Sequence, residues 1–68
     1  MKCKINGKEE TIDGDQLTVT ALLKTQSVKM PDMVSVELNG TMLDRENFDT
    51  ALVKEGDVVE FLYFMGGG

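Results

Sequence analysis

The residues best placed for chemistry are three consecutive glycines, Gly66, Gly67 and Gly68, because the last of them offers a carboxylate. Glycine has no side chain to pack and loses more conformational entropy on ordering than any other residue, so stability alone does not explain this run. A thread of three glycines reaches about 10 Å at roughly 3.3 Å per residue and is narrow enough for a closed active site. We therefore expect Gly68 to carry the reacting group and Gly66 and Gly67 to thread it into a partner.

A carboxylate is a poor acyl donor, because its leaving group would be an oxide ion. It must first become a mixed anhydride by attacking the α-phosphorus of a nucleotide. The glycines are followed by neither Lys-Ser/Thr nor a helix, so they do not form a phosphate-binding loop. The sequence thus predicts a chain that binds no cofactor and is the substrate, rather than the catalyst, of an adenylating enzyme that uses ATP.

Other groups with reactive side chains favour structural roles. Asp13 with Asp15, and Glu55 with Asp57, are acidic pairs in turns, which are usually solvated turn residues. Cys3 stands in an alternating segment and is expected to be a small core residue. The chain has one cysteine and no histidine, so neither an intramolecular disulfide nor a Cys/His zinc site can form. We expect no catalytic residue and no metal site.

Length and charge restrict the possible partners. A chain of 68 residues has room for one small domain, near the lower size limit for folding without disulfides or a structural metal. Its net charge of −5 argues against nucleic acid and anionic membranes and favours partners with a basic face, although acidity for solubility alone is an equal alternative. No apolar run approaches about 20 residues and the first residues do not resemble a signal peptide, so we expect a cytoplasmic protein.

The first half of the chain predicts a hairpin followed by a helix. Residues 2–5 alternate polar and apolar side chains, Asn6-Gly7 suits a tight hairpin turn, and residues 8–12 form the return strand. Apolar residues then recur at helical spacing, which predicts a helix over 19–26 with Thr18 as its N-cap. A helix of two turns must be stabilised by packing against a sheet.

The second half predicts another hairpin and a long apolar strand. Residues 34–38 alternate, Asn39-Gly40 supplies a second tight turn, and 41–43 form a short partner strand. Residues 44–47 are typical of a capped single helical turn. Residues 58–65 are the most apolar run of the chain and fit an interior strand.

Without the short strand 41–43 these elements follow the order ββαββ, which indicates an α+β fold with one main helix on one face of a mixed sheet of four to five strands. Because the helix connects the second and third strands, it can act as a crossover that leaves the first and last strands adjacent and parallel. This is the β-grasp, or ubiquitin-like, arrangement. We expect residues 1–65 to form the domain and residues 66–68 a flexible C-terminal glycine tail.

The last strand has two faces, and Glu60 distinguishes them. A carboxylate is rarely buried without a partner, so the Glu60 face is assigned to solvent and Val59 and Phe61 to the core. Leu62 and Phe64 are then exposed, unless loops cover them. The functional interpretation is a docking patch beside the tail that partners recognise. Its candidate residues are Glu60, Leu62, Phe64 and Met65.

Residues 52–61 and 64–68 resemble the C-terminal end of the ThiS family, the sulfur carriers of the thiamine pathway. The Glu-Gly-Asp turn, the apolar strand and the terminal glycines in so short a chain are the most specific features. The resemblance implies that a ThiF-like enzyme adenylates the Gly68 carboxylate with ATP. It also implies conversion to a thiocarboxylate, with sulfur from a donor such as a cysteine desulfurase, and delivery of that sulfur to a ThiG-like thiazole synthase.

Several alternatives share these features. MoaD-like carriers of molybdopterin synthesis have the same fold and Gly-Gly end but are generally longer, and carriers of other sulfur pathways look alike at this level. A ubiquitin-like modifier would instead be joined through Gly68 to lysines of other proteins. A plain interaction domain with an idle glycine tail is the remaining alternative.

Overall fold

The computed structural model describes residues 1–63, which form a five-stranded mixed sheet, one α-helix and a separate two-stranded sheet. The predicted boundary between domain and tail lies outside the described residues. In chain order the elements are β1 (Lys2–Ile5), β2 (Lys8–Thr11), β3 (Gln16–Thr18), α1 (Val19–Thr25), a 3₁₀ turn (Pro31–Met33), β4 (Val34–Leu38), β5 (Thr41–Leu43), a second 3₁₀ turn (Arg45–Asn47), β6 (Leu52–Lys54) and β7 (Val58–Tyr63).

The main sheet has the strand order β2-β1-β7-β4-β5. The first and last strands are parallel, with Lys4 opposite Val58 and Ile5 opposite Val59, while the other neighbours are antiparallel. The α+β, β-grasp prediction is confirmed, including the parallel central pair. The last strand is the middle of five, so the chain enters residues 64–68 from the centre of the sheet.

Two Asn-Gly turns set the register of the outer hairpins. Asn6 and Gly7 have φ of 54° and 81°, and Asn39 and Gly40 have φ of 53° and 84°. Positive φ at both central residues matches the right-handed twist of the flanking strands. Both predicted hairpins are therefore confirmed, with β1 joined to β2 and β4 joined to β5.

The helix begins as the sequence predicts and ends one residue earlier. The Thr18 hydroxyl accepts a hydrogen bond from the Ala21 N–H at 3.1 Å, which satisfies one free donor of the first turn. Gln26 is the C-cap, and its N–H still donates to the Leu22 carbonyl. The face that carries Val19, Leu22 and Leu23 is buried, and this packing stabilises an otherwise marginal helix.

The structure differs from the sequence prediction at three places. Strands β3 and β6 pair in a second sheet that the ββαββ order did not contain. β2 ends at Thr11, before the predicted Ile12. Asp44 makes no side-chain cap bond, so the expected cap of the turn after β5 is wrong. That turn is closed by the backbone, where the Phe48 N–H donates to the Arg45 carbonyl at 3.0 Å.

The core lies between the main sheet and α1. Strand β6 and the segment that precedes β6 close the remaining side of the core. Its buried residues are Cys3, Ile5, Ile12, Val19, Leu22, Leu23, Val34, Val36, Phe48, Val53, Val59 and Phe61. Cys3 is the expected core residue, and burial, followed by the charge of Asp57, raises the pKa of its thiol. A thiol held protonated in this way is a packing group rather than a nucleophile.

Candidate functional site

The last strand divides its side chains as predicted. Val59 and Phe61 are buried beneath the helix side of the sheet, whereas Val58 and Leu62, on the opposite face, are 42% and 38% exposed. Glu60 lies between them and is half-buried. The assignment of the Glu60 face to solvent is therefore confirmed as far as Leu62. Phe64, Met65, Gly66, Gly67 and Gly68 lie outside the described residues.

Neighbouring strands extend this exposed surface, which we call the open face. On β4, Ser35 lies opposite Leu62 and Glu37 lies opposite Glu60. On β5, Met42 lies opposite Glu37 and is 52% exposed. The open face thus combines exposed apolar side chains with two carboxylates near the centre of the sheet. Its residues are Ser35, Glu37, Met42, Val58, Glu60 and Leu62.

Glu37 and Glu60 are like charges placed directly across an antiparallel strand pair. Such a pair destabilises a sheet, because the carboxylates repel each other at close range. The nearest lysine of the neighbouring strand, Lys4, lies opposite Val58 rather than Glu60. Lys4 therefore shares the face of Glu60 as its diagonal neighbour, and within residues 1–63 no lysine lies directly opposite Glu37 or Glu60 in the sheet.

Asn39 secures the beginning of β7. Its backbone N–H donates to the Val58 carbonyl at 2.7 Å, and its side-chain oxygen accepts the Val58 N–H at 2.8 Å. Its side-chain amide also donates to Asp57 at 3.2 Å. A residue that the sequence indicates only as a turn former therefore aligns the strand that leads to the tail.

Asn6 holds β7 by hydrogen bonds from the side of β1, opposite to Asn39. Its N–H donates to the Val59 carbonyl at 2.9 Å, and its side-chain oxygen accepts the Phe61 N–H at 2.7 Å. The bond to Phe61 replaces the backbone partner that β1 would supply if it did not turn away. The sequence carries no local signal for this contact, because its partners are 55 residues apart.

The Glu-Gly-Asp turn before β7 is a structural element, as predicted for its acidic residues. Glu55 accepts the Lys2 N–H at 2.7 Å, and Asp57 accepts the Lys54 N–H at 2.8 Å. Gly56 adopts φ of 84° and donates its N–H to the Lys2 carbonyl. These bonds attach the start of β7 to β1 and leave both carboxylates in structural rather than catalytic roles.

A cleft on the helix side is organised by Arg45, which the sequence did not indicate. The guanidinium donates to the carbonyls of Pro31 and Val34 at 2.8 and 2.7 Å and lies over the Phe48 ring, 5.2 Å from its centroid. The cleft encloses about 330 Å³. The role of Arg45 is to join the two 3₁₀ turns, and the cleft lies on the side opposite the open face.

The comparisons with known proteins agree with this architecture. The model of the ThiS family matches residues 3–68, which is nearly the entire chain and includes the terminal glycines. The chain belongs to the ThiS family. As a ThiS protein it is a small sulfur carrier of the thiamine biosynthesis type rather than an enzyme. No curated protein sequence is significantly similar to it.

Two solved structures resemble this ThiS chain closely. A crystal structure of the thiamine biosynthesis protein ThiS from Geobacter metallireducens is 55% identical, with full coverage of both chains and a TM-score of 0.91. A solution NMR structure of a thiamine biosynthesis protein from the same organism has 55% identity and a TM-score of 0.81, covering all of this chain and 88% of the other. None of the helices formed by residues 1–63 of our ThiS chain has the length and apolar character to cross a membrane.

Proposed function

We propose that the Gly68 carboxylate is adenylated by a ThiF-like enzyme with ATP, is converted to a thiocarboxylate and donates its sulfur for thiazole formation. The observation that carries this proposal is the Gly66-Gly67-Gly68 end of a ThiS-family chain, which follows the central strand after two further residues. A partner enzyme can bind the folded domain, while a glycine segment without side chains places the terminal carboxylate in the active site of that enzyme.

The chemistry follows from the carboxylate. One oxygen of Gly68 attacks the α-phosphorus of ATP, and pyrophosphate leaves. A donor such as a cysteine desulfurase presents sulfur as a persulfide, whose terminal sulfur attacks the acyl carbon and displaces AMP. A thiol reductant then cleaves the S–S bond, so that the donor's cysteine leaves as a disulfide with that thiol and the Gly68 thiocarboxylate is released. The chain binds no cofactor in this scheme, and ATP belongs to the partner. The thiocarboxylate sulfur is the better nucleophile and is transferred to a ThiG-like thiazole synthase.

We assign docking of these partners to the open face and its continuation toward the tail, through Glu60, Leu62, Phe64 and Met65. Exposed Val58, Leu62 and Met42 supply apolar contact area, and Glu37 and Glu60 supply negative charge. A complementary surface carries lysine or arginine among apolar side chains. The net charge of −5 supports such a basic partner over nucleic acid or an anionic membrane, and we place the protein in the cytoplasm.

The test is incubation with ATP, the cognate ThiF-like enzyme and a sulfur donor, followed by intact-mass analysis. The expected product gains the mass difference between sulfur and oxygen. A chain lacking Gly67 and Gly68 is the matched control, because it keeps every contact described for residues 1–63. Products of high mass, in which Gly68 is joined to lysines, would instead identify a protein modifier.

A further inference from the structure

The hydrogen-bonding groups of β7 alternate between its two neighbours. The Asn39 N–H donates to the Val58 carbonyl, so Val58 and every second residue after it bond toward β4. The Asn6 N–H donates to the Val59 carbonyl, so Val59, Phe61 and Tyr63 present their N–H and C=O groups toward β1.

The two neighbours do not extend equally far. β4 pairs with β7 up to Val34 opposite Tyr63, whereas pairing with β1 ends at Ile5 opposite Val59. Beyond that point the Asn6 side chain takes the Phe61 N–H, and the chain turns back into β2. Within residues 1–63, no strand lies opposite Tyr63 on the β1 side. The Phe61 carbonyl and both backbone groups of Tyr63 therefore face a notch in the sheet.

The notch opens into a cavity of about 240 Å³ between the first hairpin and the end of α1. Tyr63, at its rim, is 50% exposed. The cavity has a mixed polar and apolar lining with one basic and one acidic side chain, Lys8 and Glu10. Its lining includes Asn6, Lys8, Glu10, Gln26, Val28 and Tyr63.

We propose that an extended segment of the partner that accepts the C-terminus adds to β7 in this notch, as a short strand bonded to Phe61 and Tyr63. This inference rests on the proposed function, which brings that partner to the residues that follow. An unpaired strand edge is a template for strand addition, and main-chain bonds give such a contact its affinity. The cavity receives a small polar side chain of the added segment, between Lys8 and Glu10.

Strand addition at Tyr63 also gives the proposed delivery a defined geometry. Tyr63 immediately precedes residues 64–68. Backbone bonds from Tyr63 into the notch therefore hold the chain in register where it enters the partner. The open face provides contact through side chains, whereas the notch provides it through the backbone. The two surfaces are therefore separable by mutation.

Tyr63→Pro, compared with Tyr63→Ala, is the direct test. Both variants lose the tyrosine ring, but only proline also removes the N–H that points into the notch, and both leave the β4 bonds of Leu62 intact. The residue before a proline favours extended backbone, which Leu62 already has. We expect affinity for the cognate ThiF-like enzyme to fall by about tenfold, the weight of one hydrogen bond. Tyr63→Ala keeps the N–H and should bind about tenfold more tightly than Tyr63→Pro. Equal affinity of the Tyr63→Ala and Tyr63→Pro chains would overturn strand addition.

Hydrogen exchange of the native chain provides a second test that needs no variant. The Tyr63 amide should exchange rapidly in the free protein and at least tenfold more slowly in the complex, because it gains an acceptor there. Adenylation of Gly68 without slower exchange at Tyr63 would overturn strand addition and leave the proposed function intact. Absence of adenylation would overturn the proposed function itself.

Discussion

The side-chain oxygen of Asn6 lies 2.7 Å from the backbone nitrogen of Phe61 and thereby joins the first hairpin turn to the central strand. The same residue has φ of 54°, a conformation that asparagine tolerates better than residues with apolar side chains. One residue thus closes the hairpin and supplies the acceptor that β1 no longer provides. The strand that leads to the tail depends on both properties.

We predict that Asn6→Ala lowers the free energy of unfolding by about 2–3 kcal/mol. It leaves the Phe61 N–H without its acceptor and removes the short polar side chain that lets asparagine adopt positive φ more readily than alanine. Urea unfolding measures the loss. Asn6→Asp retains an acceptor oxygen and tolerates the same φ, so it should lose much less. Equal stability of the two variants would show that the bond to Phe61 has no energetic weight.

The facing carboxylates of Glu37 and Glu60 predict opposite effects on stability and on binding. Glu60→Gln should raise the free energy of unfolding by a few tenths to about 1 kcal/mol, since it removes a like-charge pair across two strands. It should also weaken binding to the ThiF-like enzyme and reduce the salt dependence of that binding. Calorimetric titration at two salt concentrations measures both binding effects.

Glu46→Gln is the matched control for that experiment. It changes the net charge equally but lies on the exposed 3₁₀ turn Arg45–Asn47, away from the open face. We expect it to leave binding nearly unchanged. If Glu46→Gln weakens binding as much as Glu60→Gln, the effect belongs to overall charge and not to the open face.

Leu62 and Leu52 allow docking to be separated from ordinary surface hydrophobicity. They are 38% and 37% exposed and both lie in strands, but only Leu62 belongs to the open face. Leu62→Thr should weaken partner binding several-fold, as expected for an apolar interface residue, while Leu52→Thr should not. Threonine preserves strand propensity, so both variants should fold. Equal binding of the two variants would remove Leu62 from the interface.

Burial of Cys3 predicts a pH dependence of stability. Its thiol pKa is raised above the ordinary value of 9.0, chiefly by burial. The unfolded chain therefore releases this proton first, so the stability linked to Cys3 is complete below pH 9.0 and is lost as pH rises through the folded pKa. Urea unfolding between pH 8 and 10.5 should show a steeper decline for the native chain than for Cys3→Ala. Parallel declines would contradict the assignment.

The hairpins and the central strand could be predicted because their signals are local. Asn6-Gly7 and Asn39-Gly40 need only their own backbone preferences to specify tight turns, and residues 58–63 are an apolar run in which the single charged side chain marks the solvent face. The parallel contact of first and last strands then followed from the helical crossover. These elements agree with their local sequence, which is why pattern and structure coincide.

The remaining features depend on partners far away in the chain. β3 and β6 are three residues each, too short for alternation to be recognised, and they form because they pair with each other beside α1. The acceptor role of Asn6 and the carbonyl contacts of Arg45 are likewise tertiary. Of the candidate site, sequence could indicate the exposed face through Glu60, but the facing Glu37 required the strand register.

The central claim is that Gly68 carries sulfur, and mass spectrometry of the C-terminal peptide tests it most directly. The protein is incubated with ATP, the cognate ThiF-like enzyme and a sulfur donor, and the peptide that contains Gly66, Gly67 and Gly68 is fragmented. We predict that one oxygen of the Gly68 carboxylate is replaced by sulfur. We also predict that Gly68 loses this sulfur when thiazole synthase and its substrates are added. The account would be contradicted if Gly68 stayed unmodified before thiazole synthase was added and the mixture nevertheless formed thiazole afterwards.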